Sequence, residues 1–288
     1  MFQNVSTSLS RLALALFVGA LASCGGGGLT STGGSAGTDS GSGTDSGSGT
    51  DGSGAGLQFS MGDLNGDWTG ELIPNNRALI KRNIYIRVAN GVLTSSAEGG
   101  GGDWNASNAI TLLNFNTQGF MDLAITSSVG AGDMSLEGTM NVALDKINGM
   151  VRTTHVDGTL FEGTFELRRS TGAGHFTIGL AEGVWQGQGS NNRDRFRIAS
   201  IEFDRTGIVV AAEVIHPDSG RIVHSYSSGA GSLDLIDDAV GRINNVVITS
   251  DDGSTLAFDF LLINDTGTLI SGPGVDSELG IGRVELTR

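Results

Sequence analysis

The chain has 288 residues, of which 47 are glycine, 3 are proline and one is cysteine. Its 17 basic residues stand against 31 acidic ones, which gives a net charge of −14. This balance argues against nucleic acid as a partner, because neutralising phosphates requires a basic surface. A single cysteine also excludes a disulfide within the chain.

Residues 1–23 have the features of an export signal. Arg11 precedes an apolar run, Leu12–Ala22, that is too short for a bilayer-spanning helix of about 20 residues but suits the core of a signal peptide. The run ends in Leu21-Ala22-Ser23-Cys24. This ending resembles the lipobox of bacterial lipoproteins, in which small residues admit the peptidase and the cysteine thiol accepts a diacylglyceryl group. The resemblance implies cleavage before Cys24, followed by lipidation of that residue with fatty acids such as palmitate. An ordinary signal peptide with an incidental cysteine is the alternative.

Residues 24–56 are predicted to form a lipidated, flexible tether. After Cys24 the segment consists of glycines and near-repeats of Gly-Thr-Asp-Ser-Gly-Ser, with almost no apolar side chain to bury. Its root-mean-square span is roughly 30 Å. In the lipoprotein family, a glycine rather than an aspartate after the cysteine implies sorting to the outer membrane, and Gly25 stands at that position. The periplasmic and outer faces of that membrane are both open as locations.

The rest of the chain carries an internal duplication. Asp67-Trp68-Thr69-Gly70 matches Val184-Trp185-Gln186-Gly187, and Glu166-Leu167-Arg168-Arg169 matches Glu285-Leu286-Thr287-Arg288. The matched segments are separated by similar distances along the chain, so we predict two copies of one domain, residues 57–170 and 174–288.

Within each copy, apolar and polar residues alternate, as in Ile84-Tyr85-Ile86-Arg87-Val88 and Phe161-Glu162-Gly163-Thr164-Phe165. Period-two alternation predicts half-buried strands, and pairs such as Asn90-Gly91, Asn148-Gly149 and Thr266-Gly267 predict hairpin turns. No segment has a convincing helical pattern. The predicted class is therefore all-β: two tandem small antiparallel up-and-down barrels of about eight strands each. Two β-sandwiches are the alternative.

Each copy begins with Gly-x-Trp-x-Gly, at Gly66–Gly70 and Gly183–Gly187. This motif resembles the first-strand signature of lipocalin-like barrels. In that family the tryptophan plugs the closed end of the barrel, and a basic residue of the last strand packs across it. The resemblance implies structural roles for six residues: Gly66, Trp68 and Arg169 in the first copy, and Gly183, Trp185 and Arg288 in the second. The copies are shorter than typical lipocalins, which leaves open a barrel filled by side chains.

The sequence contains no set of nucleophile, base and orienting residue, so no catalytic residue, metal site or cofactor is predicted. His216 and His224 flank a predicted turn; we expect both on the surface, with a metal pair across the hairpin as the alternative. Trp104 follows four glycines and has no counterpart in the second copy. We interpret it as an aromatic residue in a loop at the barrel mouth and a candidate ligand contact, the alternative being a loop folded onto its own surface.

These observations predict a non-enzymatic lipoprotein of the cell envelope with a binding or structural role. Its predicted partner is the membrane, through lipid on Cys24. One alternative is a lipocalin-like carrier of a small apolar ligand, which requires an apolar cavity in a barrel. Another is a surface-exposed receptor or adhesin for a protein partner.

Overall fold

The computed structural model describes residues 58–76, 79, 81–128, 132–154, 160–191, 195–276 and 280–288. Over these residues the chain forms two antiparallel sheets of nine strands each and two short 3-10 helices. The predicted signal peptide, Cys24 and the predicted tether lie outside the described residues.

The first sheet follows a 3-10 helix at Met61–Leu64. Its strands are β1 (Gly66–Pro74), β2 (Arg82–Ala89), β3 (Val92–Glu98), β4 (Gly102–Asn105), β5 (Ala109–Phe115), β6 (Phe120–Ser127), β7 (Asp133–Met140), β8 (Lys146–Thr154) and β9 (Leu160–Arg169).

The second sheet follows a 3-10 helix at Ile178–Ala181. Its strands are β10 (Gly183–Asn191), β11 (Arg195–Phe203), β12 (Val209–Ile215), β13 (Ile222–Tyr226), β14 (Leu235–Asp237), β15 (Arg242–Thr249), β16 (Thr255–Ile263), β17 (Leu269–Asp276) and β18 (Gly280–Thr287).

Both sheets have one topology. The first runs β4-β3-β2-β1-β9-β8-β7-β6-β5, and the second repeats that order with β13 to β10 and β18 to β14. In each, the first strand pairs with the last, so the meander curls into a nearly closed antiparallel barrel whose seam lies between two consecutive strands. The predicted all-β class with two tandem barrels is confirmed, and each barrel has nine strands rather than about eight.

Alternation along each strand separates the core from the surface. In β9, Phe161, Phe165 and Leu167 are buried, while Glu162 and Thr164 between them are exposed. Because successive side chains of a strand point to opposite faces, the apolar set fills the barrel and the polar set meets water. Each barrel has its own large apolar cluster, one built around Trp68 and the other around Trp185.

The turn predictions are partly wrong. Asn90 and Gly91 both have positive φ and join β2 to β3 as a two-residue turn, as predicted. Asn148-Gly149, in contrast, lies inside β8, opposite Gly138 and Thr139. A side chain at position 149 would collide with the backbone of Glu137, so this glycine permits close approach of neighbouring strands rather than a turn.

The two barrels lie within one compact unit and share an interface. Its apolar part joins side chains of β2 and β3 to side chains of β16 and of the turn after β14: Tyr85, Ala97, Ala239, Val240, Phe260 and Leu262. Arg242 of the second barrel donates two hydrogen bonds of 2.8 Å to the carboxylate of Asp103 in the first. Such paired, charge-assisted bonds fix orientation as well as adding energy.

Candidate functional site

The closed end of the first barrel is built around Trp68. The indole Nε1 donates a 2.8 Å hydrogen bond to the carbonyl of Leu64 in the preceding 3-10 helix. The Arg169 guanidinium lies over the indole, 4.3 Å from its centroid, and donates to the carbonyls of Asp63, Asn65 and Leu144. Cation–π contact and carbonyl bonding together hold the plug in place.

A glycine is required at the start of β1. Gly66 has a φ of +130°, a region that other residues rarely adopt, and a Cβ there would stand 3.0 Å from Nη1 of Arg169. The first glycine of the Gly-x-Trp motif thus makes room for the arginine that covers the tryptophan.

The second barrel repeats this arrangement. Trp185 Nε1 donates a 2.7 Å hydrogen bond to the carbonyl of Ala181, and Arg288 lies over the indole at 4.9 Å while donating to the carbonyl of Glu182. Gly183 has a φ of +114°. The six signature residues therefore occupy equivalent surroundings in the two barrels. Both indoles are sealed from solvent, so neither presents a surface to a ligand.

The expected loop position of Trp104 is wrong. Trp104 lies on β4, opposite Ser96 of β3, and its side chain is 0% exposed within the core of the first barrel. Its Nε1 donates to the carbonyl of Gly132 at 3.1 Å. Gly101, with a φ of +117°, turns the chain so tightly that β4 begins at Gly102. The glycine run therefore makes a turn into a strand, and Trp104 contributes to packing rather than to a mouth.

The first barrel also contains a polar layer near the end opposite its tryptophan plug. Arg82 and Glu98 are inward-facing, with side chains 5% and 0% exposed, and their closest atoms are 3.4 Å apart. The Arg82 guanidinium lies 4.5 Å from the centroid of Phe161, and Glu98 accepts a 2.8 Å hydrogen bond from the backbone of Gly100. A buried ion pair of this kind requires both charges, because either one alone would be uncompensated.

The histidines of the second barrel do not form a pair. His216 is exposed after β12, whereas His224 faces Val214 across β12 and β13 and is buried. The expected surface position of His224 was therefore wrong. Its Nδ1 lies 3.3 Å from Oδ2 of Asp252. Among the described residues, no cluster of three or more His, Cys, Asp or Glu side chains has a metal-binding arrangement.

A groove of about 280 Å³ lies between the two barrels. The first barrel contributes residues of β1, β2 and β9, and the second contributes the turn after β14, the end of β16 and the turn after β16. Its polar lining residues are Thr69, Glu71, Asn83, Glu166, Arg168, Asn264, Asp265 and Thr266, and its apolar ones include Ile73, Val240 and Leu262. Concave sites of mixed lining at domain interfaces are typical positions for small ligands.

Asn83 connects the floor of the groove to the second barrel. It is 2% exposed, and its Nδ2 donates to the carbonyls of Leu262 at 2.6 Å and Leu269 at 3.0 Å. Its Oδ1 is buried and accepts no hydrogen bond from the described part of the chain. A buried polar atom without a partner is uncommon in proteins and marks a position that a ligand or ordered water would satisfy.

Glu285 lies on β18 and interacts electrostatically with Glu71, a residue of the groove lining. Burial is the main cause of a pKa of about 7 at Glu285; the positive charges of Lys81 and Arg82 oppose the shift, and the charge of Glu71 adds to it. A carboxyl with a perturbed pKa next to a cleft is a recognised feature of functional sites, although structural networks also produce it. No sequence pattern indicated this residue, because the charged groups that act on it, Lys81, Arg82 and Glu71, belong to the other barrel.

We expect Glu285 to make stability depend on pH. A carboxyl whose pKa is higher in the folded than in the unfolded state stabilises the fold below its ordinary value of 4.5, and this contribution is lost as pH rises through about 7. Glu285→Gln should therefore be more stable than the parent at pH 8 and equal to it at pH 4, as measured by urea unfolding. Glu213→Gln, at an exposed strand position, is the control. A stabilisation by Glu285→Gln that is the same at both pH values would contradict the expectation.

Comparison with known proteins adds little. No protein-family model matches the chain, and no curated protein matches it. It is similar to the structure of a protein of unknown function of the DUF3598 family from Nostoc punctiforme PCC 73102, at 13% identity and a TM-score of 0.24, over 78% of this chain and 95% of that one. It is also similar to kievitone hydratase from Nectria haematococca, at 8% identity and a TM-score of 0.22, over 78% of this chain and 89% of that one. At these TM-scores, neither similarity carries an argument for a function.

None of the helices in the described ranges has the length and apolar character needed to cross a bilayer.

Proposed function

We propose that this protein is a non-enzymatic lipoprotein of the cell envelope that binds a small polar molecule in the groove between its two barrels. The observation that carries the proposal is the groove itself, which both barrels line and whose lining includes Asn83, a buried residue whose Oδ1 has no partner among the described residues. Its position at an interface between two similar domains supports a ligand site.

An apolar ligand carried inside a barrel is less well supported. In both barrels, large side chains of the apolar clusters pack into the interior, including Phe161 and Phe165 in the first and Phe203 and Phe258 in the second. A carrier of the lipocalin kind needs an open apolar cavity there. The receptor or adhesin alternative has no specific observation in its favour.

Ligand binding in the groove is tested by filling the groove with a larger side chain. Ile73 lines the groove and is 40% exposed, so Ile73→Trp adds bulk there without burying a new side chain in the core. The full chain is screened by thermal shift against small polar metabolites, and a ligand present at 100 times its Kd should stabilise it by about 2.7 kcal/mol. We expect Ile73→Trp to abolish the shift. The matched control is Ile110→Trp, at an exposed position on β5 outside the groove.

Two results would reject the groove as the site. One is a ligand whose thermal shift is unchanged by Ile73→Trp. The other is the recovery, by native mass spectrometry, of an apolar ligand bound to the purified chain with Ile73→Trp still carrying it.

The anchor is tested separately through Cys24, by expression in a diderm bacterium. The parent chain should fractionate with the outer membrane and carry the mass of a diacylglyceryl group and its fatty acids. Cys24→Ser should leave the membrane fraction. Retention of Cys24→Ser in the membrane, or an unmodified Cys24 in the parent, would contradict lipidation.

A further inference from the structure

The hydrogen-bond donors that line the groove are largely used within the protein. Both N–H bonds of the Asn83 amide go to carbonyls of the second barrel. The amide of Asn264 donates to Oε1 of Glu71 at 2.9 Å and to the Thr268 hydroxyl at 3.0 Å. Since a side-chain amide has two donors, neither amide retains one for a ligand.

The basic groups at the groove are engaged as well. Arg168 donates from Nε to Oε1 of Glu166 at 2.9 Å, and its Nη2 lies 2.7 Å from the same oxygen. The other oxygen of Glu166 lies 2.7 Å from Nζ of Lys146. Glu166 is thus held between two cations, so its charge is compensated and the three residues together carry one positive charge.

Some hydrogen-bond acceptors of the groove lining, in contrast, have few partners within the protein. Oδ1 of Asn83 has no partner in the described residues, and neither does the exposed carboxylate of Asp265. Within the described residues, the partners of the Glu71 carboxylate are the Asn264 amide and Nζ of Lys81, which is 3.6 Å away. Of the four charged side chains that line the groove, Glu71, Glu166 and Asp265 are acidic and Arg168 alone is basic.

We infer that the ligand of the groove is a small molecule bearing a protonated amine, held by the carboxylates of Glu71 and Asp265 above the Asn83 amide. The inference rests on the proposed function, because it names the chemistry of the same site. An ammonium group supplies three donors and no acceptor, which complements a lining whose acceptors outnumber its free donors. A carboxylate ligand at the same position would meet the like charges of Glu71 and Asp265.

The probe is 1,4-diaminobutane, compared by titration calorimetry on the full chain with 1,4-butanediol and with succinate at pH 8 and low salt. We expect the diamine to bind at least about tenfold more tightly than the diol, a factor that corresponds to one charge-assisted hydrogen bond. Succinate should not bind measurably. Raising the salt concentration to about 0.5 M should weaken the binding of the diamine, because the groove is open to solvent and exposed charges are screened by salt.

Two variants locate the binding. Glu71→Gln keeps the oxygen that accepts from Asn264 and removes the charge, and Asp265→Asn removes the charge of an exposed turn residue. Each variant should lower the affinity for the diamine by about tenfold. Asp218→Asn removes the same charge from an exposed turn of the second barrel outside the groove and should leave the affinity unchanged.

The outcomes separate this inference from the proposed function. Equal affinities for diamine and diol, or diamine binding that both groove variants leave unchanged, overturn the amine assignment. If the diamine does not bind but another ligand is lost in Ile73→Trp, the groove stands and the amine class is wrong. If no ligand responds to Ile73→Trp, both fail.

Discussion

Replacing Trp68 or Trp185 with alanine is expected to lower the free energy of unfolding by about 3–5 kcal/mol in either barrel. Each indole is fully buried, donates its N–H to a carbonyl of a 3-10 helix and lies beneath an arginine. Alanine leaves a cavity, an unpaired carbonyl and a guanidinium without its aromatic surface. Urea unfolding followed by far-ultraviolet circular dichroism measures the loss.

The control for the plugs is Val142→Ala, at a position 75% exposed, which should change stability by less than about 0.5 kcal/mol. Because the two plugs are equivalent, the two tryptophan variants should be affected alike. A loss below about 1 kcal/mol in one of them would show that its plug contributes little and that the barrels differ in how they are closed.

Removing one charge of the buried Arg82–Glu98 pair is expected to be as costly as removing a plug. Arg82→Met leaves the carboxylate of Glu98 inside the first barrel without its cation, for a loss of about 3–5 kcal/mol. The double variant Arg82→Met with Glu98→Gln removes both charges and keeps an acceptor for the Gly100 N–H. It should therefore be more stable than the single variant by more than about 1 kcal/mol.

The comparison of these two variants identifies the cause of the loss. If the double variant is no more stable than Arg82→Met, lost packing of the arginine over Phe161 accounts for the effect and the uncompensated charge does not. An ion pair on the surface should behave differently from the buried one. Arg152 and Glu162 lie 3.6 Å apart with both side chains more than half exposed, and Arg152→Met should cost less than about 1 kcal/mol.

Some features of the fold were predictable because they depend on residue type and spacing alone. Alternation indicated strands, Asn90-Gly91 indicated a tight turn, and the paired Gly-x-Trp motifs indicated two barrels with matching closed ends. A further signal was available in Asn141 and Asn264, whose side chains cap equivalent turns before β8 and β17.

Other features were not predictable because glycine is ambiguous. A glycine run is compatible with a loop, a turn or a strand that needs close contact, and only neighbouring strands decide among these. Gly149 lies within a strand because the backbone of Glu137 approaches it, and the run before Trp104 makes one tight turn. The same ambiguity caused Trp104 to be placed in a loop.

By itself, then, the sequence determined that the body is β-rich, that it is duplicated and that each copy closes over its own tryptophan, since these depend on contacts within one copy. The docking of the two barrels was decided by the tertiary structure. So were the burial of Arg82 and Glu98, the perturbed carboxyl of Glu285 and the groove between the copies. The physical reason is that burial and hydrogen-bond satisfaction depend on residues far apart in the chain: Asn83 and Leu269 are ordinary strand residues until the second barrel packs against the first.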